Sequence, residues 1–341
     1  MKRSLLILVA TAAVWTGCSK TETIDQPQGM AIGFTNAYIG NPVESKAVGI
    51  INRENISEFI VYGGYNDMTH VFNGVSVTGS ANTNEWSYTT TRYWVAGKTY
   101  KFAAYAPSEI SGAVEPDFAT GTLKFTNYVS DPSNQHDLIY DAADSITTPD
   151  PLENPLGKVQ FEFSHLLSMI KFTFNSGFAN DIKVTVDSLN VSGMVSQGNY
   201  IGSTGTWDPG SETVSTEAAF TEMDDNEAIN KTTGNESASS YDFAVIPQEI
   251  GGTGKTVTVS FNVRVQDNLQ NYIIGNEGAG VTVSATLPAY TWTAGNRYNY
   301  TVTIKGENVD LFPIEFGTPT VDGITDANFD GSDEIDVQPT I

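Results

Sequence analysis

"VQFEFSHLLSMIKFTFN", residues 159–175, decides the fold. Val159, Phe161 and Phe163 alternate with Gln160, Glu162 and Ser164, and after a short apolar junction Ile170, Phe172 and Phe174 alternate with Lys171, Thr173 and Asn175. Side chains repeat every two residues along a strand, so each half presents one apolar and one polar face. The same period recurs on both sides: "SEFIVYGGY" (57–65), "HVFNGVSV" (70–77), "EWSYTTTRYWV" (85–95) and "KTYKFAAYA" (98–106) before it, and "DIKVTVDSLNVSG" (181–193), "YDFAVIPQ" (241–248), "KTVTVSFNVRVQD" (255–267), "GVTVSATLP" (280–288) and "RYNYTVTIKG" (297–306) after it. These runs are rich in Val, Ile, Thr, Tyr and Phe and are bounded by Gly, Asn and Pro. The chain reads as all-β, built of sandwiches. One patch, "STEAAFTEMDDNEAI" (215–229), has helical character, and its acidic run marks a short surface element.

The prolines of "SITTPDPLENPLGK" (145–158) interrupt any ladder and set the expected domain boundary, giving an N-terminal sandwich at 30–150 and a C-terminal sandwich with an acidic tail at 151–341. Both halves carry a similar phrase, "WSYTTTRYWVAGKTYKF" and "YTWTAGNRYNYTVTI", in which a Trp precedes Ala-Gly, then Lys or Arg, then a Tyr-containing strand. Two related sandwiches would explain it.

The first 17 residues form an expected secretory signal: Lys2 and Arg3, an apolar run from Leu5 to Val14, then the small Thr16 and Gly17. That run is too short to span a hydrocarbon core, which needs about 20 helical residues. Cys18 follows it as the single cysteine of 341 residues, so it has no disulfide partner within the chain. A cysteine there resembles the bacterial lipobox, although Trp15 stands where that motif usually has Leu. Cleavage before Cys18 and its acylation would anchor the protein in a membrane, with 18–29 as a flexible tether.

Loss of Lys2 and Arg3 leaves 15 basic against 40 acidic residues, a formal net charge of −25. Such a surface repels phosphate backbones and lacks the basic stripe of a nucleic-acid binder. Catalytic signals are equally weak. "GGTGKT" (251–256) has Glu249 where a P-loop needs its first glycine and precedes a strand rather than a helix, so it reads as a hairpin turn. His70, His136 and His165 have no metal spacing, and His165, between Ser164 and Leu166 in an apolar run, reads as a core histidine. No cofactor and no enzymatic activity are expected.

The tail holds two readings beside a plain solvated terminus. Asp326, Asn328 and Asp330, followed by Gly331, match the first half of a calcium loop, but Val337 stands at the twelfth position where a bidentate Glu belongs. Ile335, Val337, Pro339 and Ile341 alternate as one face of a strand that could add to another molecule's sheet. Trp86, Trp94, Trp207 and Trp292 are candidates either for glycan-stacking platforms or for core.

Taken in order, "ESKA", "ISEFIVYGGY", "WSYTTTRYWVAGKTYKFAAYAPS", "DLIYDAAD", "VQFEFSHLLSMIKFTFN" and "ATLPAYTWTAGNRYNYTVTIKG" resemble the fimbrillin family of Bacteroidetes, subunits of type V pili, over residues 30–316. The resemblance implies two transthyretin-like β-sandwich domains, lipoprotein export to the outer membrane, and assembly with other pilus subunits into surface fimbriae that support adhesion. It also implies that a protease cut after a basic residue frees the first strand, whose slot then takes a donor strand from a neighbour. The strand to be displaced would be "MAIGFTNA" (30–37), with Met30, Ile32 and Phe34 on one face. The matching cut lies between Lys46 and Ala47, where the family usually has Arg; Arg53 is the alternative, and an uncleaved anchor or tip subunit is a third outcome. The candidate donor residues are Ile335, Val337 and Ile341. The competing function is a surface lipoprotein that binds glycans and does not polymerise.

Overall fold

A computed structural model of the chain describes residues 30–39, 50–52, 55–81, 83–130, 136–152, 156–210, 228–305 and 316–323. The strands of the first part are β1 (Phe34–Ile39), β2 (Glu58–Gly64), β3 (Phe72–Ser80), β4 (Glu85–Ser87), β5 (Thr99–Ala106), β6 (Ala113–Asp117), β7 (Thr122–Val129), β8 (Ile139–Thr147) and β9 (Val159–His165). They are followed by β10 (Ser168–Ser176), β11 (Lys183–Ser192), β12 (Gln197–Ile201), β13 (Thr206–Pro209), β14 (Ala228–Ile229), β15 (Ser237–Ser239), β16 (Phe243–Val245) and β17 (Glu249–Ile250). The last are β18 (Thr258–Gln266), β19 (Tyr272–Ile274), β20 (Val281–Thr286), β21 (Tyr290–Thr291), β22 (Asn296–Ile304) and β23 (Thr320–Gly323). The fold is all-β, as the alternation requires.

A seven-stranded sheet in the order β1-β9-β8-β5-β2-β3-β4 forms the N-terminal part. Its ends meet: the Thr35 hydroxyl and the Asn84 amide, which flanks β4, hydrogen-bond each other at 2.8 Å. The sheet therefore curls around a core that includes Phe34, Phe59, Phe72, Phe102 and Phe161. Its other face packs against a four-stranded sheet, β13-β12-β7-β6, through Tyr105, Phe125, Tyr140 and Tyr200. This explains β5, whose "TYKFAAYA" is buried almost without interruption: Tyr100, Phe102 and Ala104 point to one cluster, Ala103 and Tyr105 to the other. Packing is close enough that a side chain at Gly63 would meet the Phe102 ring at 2.3 Å.

The C-terminal part is a sandwich. One sheet runs β15-β10-β22-β23, with β16 also on β10; the other runs β14-β11-β18-β19, with β20 also on β18. Phe172, Phe174, Val186, Phe261, Val263 and Tyr300 fill the space between. Two elements cross the proline-rich segment at 145–158. β9 lies after it in the chain yet pairs with β8 and, in parallel, with β1. The β12–β13 hairpin likewise joins β7.

Three local expectations are corrected. "EWSYTTTRYWV" is a strand only at Glu85–Ser87, because the chain then turns, with Thr90 at φ 62°, to aim the Tyr88 hydroxyl inward. "GGTGKT" is a turn but not a hairpin: β17 pairs with β21, while β18 pairs with β11, β19 and β20. Of the 215–229 patch, Ala228 and Ile229 form a strand on β11, and 211–227 lie outside the described residues.

The repeated phrase corresponds to a repeated structure. Val95 N–H donates to the Tyr100 hydroxyl at 2.8 Å, and Thr293 N–H to the Tyr298 hydroxyl at 2.7 Å. Each corner turns at a glycine with positive φ, Gly97 at 65° and Gly295 at 72°. Each Trp amide also donates to a segment before it, Trp94 to the Met30 carbonyl and Trp292 to the Gln248 carbonyl, at 2.9 and 2.8 Å.

Candidate functional site

The first described strand is held on two edges by segments remote in sequence. Along its start, Ala31 bridges Tyr93 in antiparallel fashion, Ile32 N–H donates to the Arg92 carbonyl at 2.8 Å, and Trp94 N–H donates to the Met30 carbonyl. On the other edge Val159 N–H donates to the Gly33 carbonyl at 2.8 Å, and the chain continues as β1 in parallel with β9, Phe34 opposite Val159 and Ile39 opposite Phe163.

Side chains reinforce this. Ile32 and Phe34 are 2% and 1% exposed, while Met30 is half-buried. Phe34 lies at the centre of an aromatic cage: Phe72 at 5.3 Å, Tyr88 at 5.8 Å and Phe59 at 6.1 Å edge-on, and Phe161 stacked at 5.9 Å. The Tyr88 hydroxyl donates to the Ile32 carbonyl at 2.7 Å and accepts from Arg92 N–H at 3.2 Å. Burial pushes the Tyr88 phenol up, with the Arg92 hydrogen bond opposing it. The Arg92 guanidinium donates to the Thr89, Thr90 and Val71 carbonyls and lies 5.0 Å over the Phe72 ring. Arg92 thus fixes the turn that carries Tyr88.

The chain just after the first strand's connection is fixed separately. Ile50 is buried with the Tyr105 cluster and Ile56 with the Phe34 cluster. Ile51 N–H donates at 3.1 Å to the carboxylate of Asp137, whose side chain is fully buried and lies 2.7 Å from His165 Nδ1. Asn52 and Asn55 close the turn between them with reciprocal bonds of 2.7 and 3.0 Å. His165 is accordingly the packed, hydrogen-bonded core histidine its setting suggested.

Of the four tryptophan candidates two are core and two are half-buried against the core. Trp94 and Trp292 are 3% and 1% exposed. Trp86 packs on Phe59 at 4.8 Å, and Trp207 lies against Tyr128 and Tyr200 with its indole N–H donating to the Leu166 carbonyl. Glycan stacking needs exposed rings in a row, which these four do not provide. The Lys255 ammonium, the would-be phosphate ligand of "GGTGKT", is paired with Glu249 at 2.7 Å. Among the described residues no three His, Cys, Asp or Glu side chains are grouped to hold a metal.

Cys18, Lys46, Ala47, Arg53, the calcium candidates Asp326, Asn328 and Asp330, and the donor candidates Ile335, Val337 and Ile341 lie outside the described residues. Sequence reasoning missed Asn84, Tyr88, Arg92 and Asp137. The repeated Trp-x-Ala-Gly phrase pointed at the right neighbourhood, since Trp94 receives the strand, but nothing in the spacing of Asp137 marks its role.

A fimbrillin-like family model matches residues 45–317. Fimbrium subunit Fim1C of Phocaeicola vulgatus is 24% identical over 263 residues, covering 65% of this chain and 68% of that protein. Among solved structures, a fimbrial protein from Bacteroides vulgatus superposes with a TM-score of 0.56 at 18% identity, over 87% of this chain and all of its own. A cell adhesion protein described from Bacteroides uniformis gives 0.48 at 19% identity, over 87% and 99% of the two chains.

Proposed function

The chain belongs to the fimbrillin-like family, and on that premise we propose that it is a structural or accessory subunit of a surface fimbria that assembles by proteolysis-triggered strand exchange and supports adhesion. The observation that carries this reading is the seating of residues 30–39. A strand joined to its neighbours chiefly by backbone ladders, with Ile32 and Phe34 seated in an apolar slot and polar side-chain bonds at Thr35 and the Ile32 carbonyl, can be exchanged for another strand of the same pattern. Its removal exposes the edges of β9 and of the 92–94 segment together with the Phe34 cage, and an unpaired edge beside an apolar slot favours capture of a new strand.

In this reading residues 1–17 are a signal peptide, Cys18 carries the lipid that holds the precursor at the outer membrane, and 18–29 is the tether. Residues 30–150 and 151–341 are the two sandwich units, with β9 and the β12–β13 hairpin reaching back across the boundary. Cleavage occurs after Lys46 or Arg53. The incoming strand carries alternating apolar residues, as do Ile335, Val337 and Ile341 of a neighbouring copy or a related subunit. The tail triad Asp326, Asn328 and Asp330 is retained as a weak calcium candidate, tested by calcium titration of the intact chain.

The test is mass spectrometry of the mature N-terminus from the native cell surface, with Lys46→Ala and Arg53→Ala combined in a second strain. A start at Ala47 or Glu54 in wild type, and loss of high-mass ladders in the double variant, is the expected outcome. Ladders that persist at full strength in the double variant would overturn processing-dependent assembly.

A further inference from the structure

We propose that Ile50, Ile51 and Ile56 form a fixed anchor that remains with the body of the subunit when the first strand leaves, held by Asp137 as a positioning residue, so that the released piece ends before Ile50. The inference rests on the strand-exchange reading for its purpose but on independent contacts for its content. Ile50 and Ile56 insert into the two clusters on opposite faces of the seven-stranded sheet. The anchor's backbone is tied at Ile51 N–H to Asp137, at the Ile50 carbonyl to the Asn55 amide at 2.7 Å, and across the turn by Asn52 and Asn55.

Asp137 has three neighbours for its carboxylate: His165 Nδ1, Leu138 N–H and Ile51 N–H. A cut after Arg53 would send Ile50 to Asn52 away with the first strand. That would empty a buried aliphatic site and take one donor from a carboxylate with no access to water. A cut after Lys46 leaves every one of these contacts in place. The anchor thus selects between the two candidate bonds, and it keeps the freed end of the body from following the departing strand.

The experiment is a timed trypsin digest of the intact chain, native and in urea, with cleavage at each bond followed by mass spectrometry. Natively, the bond after Arg53 is expected to be cut roughly 10²- to 10⁴-fold more slowly than in urea, the factor set by losing one buried aliphatic side chain and one hydrogen bond to a carboxylate. The native body should retain Ile50. Asp137→Asn should lower that protection about tenfold or more, while the bond after Lys183, in β11, keeps its wild-type protection. Ile50→Ala, which leaves the carboxylate intact, provides the same readout should Asp137→Asn fail to fold.

Native cleavage after Arg53 at the urea rate, or protection unchanged in both variants, would overturn the anchor. The two readings separate cleanly. A body that retains Ile50 but never polymerises upholds the anchor and sinks strand exchange; a body starting at Glu54 that polymerises does the reverse.

Discussion

Replacing Phe34 by alanine isolates the link between the first strand and its slot. Phe34 is 1% exposed and contacts five aromatic rings, the most distant being Phe102 with its centroid at 6.4 Å. A cage of rigid rings cannot collapse onto a methyl group, so the cost sits in the range for buried Phe→Ala, about 3–5 kcal/mol. At about 1.4 kcal/mol per decade, the population with the strand detached rises by roughly two to three and a half decades. Native-state hydrogen exchange reads this directly. The amides of Ile32, Val159 and Trp94, all bonded to or from the strand, should lose protection by that factor. Leu287 N–H, bonded to the Val257 carbonyl in the C-terminal sandwich, should not change. If Val159 and Trp94 keep their protection, the strand is not held by Phe34. If Leu287 falls in step with them, the strand opens only with the whole molecule, and an exchangeable strand is refuted.

Other outcomes follow from the core. Tyr300→Phe removes the acceptor 2.9 Å from the buried Trp292 indole N–H and is expected to cost about 1–3 kcal/mol in urea unfolding. The first sandwich has Phe102 at the corresponding place, and there the Trp94 indole N–H has no hydrogen-bond partner. At high pH, burial raises the phenols of Tyr105, to about 12, and of Tyr128, Tyr140 and Tyr300. Unfolded tyrosine ionises near 10, so stability from these groups is complete below pH 10 and falls as pH rises above it, the Tyr105 share being lost through about 12. Phenolate absorbance and urea midpoints across that window check it; a flat midpoint counts against the burial. Acrylamide should quench the tryptophans weakly until the chain unfolds, and strong native quenching would reopen the glycan-platform reading.

Legibility in the sequence followed the physics of burial. Where one face of a strand meets the core and the other meets water, as in β9, β11 and β18, alternation located the strand to within a few residues. Where contact geometry decides, it failed. The 88–94 stretch is rich in strand formers, yet Tyr88 and Arg92 turn it inward to serve the first strand, a tertiary demand that local propensity does not encode. The proline-rich segment gave no sign that β9, beyond it, joins the earlier sheet, where Phe161 and Phe163 meet the Phe34 and Phe59 cage. Ile32 and Phe34 could be named as apolar positions of a first strand, whereas Asp137 could not be told apart from the other acids until Ile51 and His165 were seen beside it.

The paired Trp-Gly-Tyr corners carry a consequence for architecture. In each half the Trp amide grips a preceding segment, but the second grips Gln248, far from the N-terminus, whose side chain is itself bonded to Val195 and Ile246. No single cut near the N-terminus can free that segment. Under the proposed strand exchange, the first of the two related corners would hold the removable guest and the second would not, giving the subunit one acceptor slot. On that proposal, subunits with one acceptor slot, each lending one strand, would grow into unbranched filaments rather than networks.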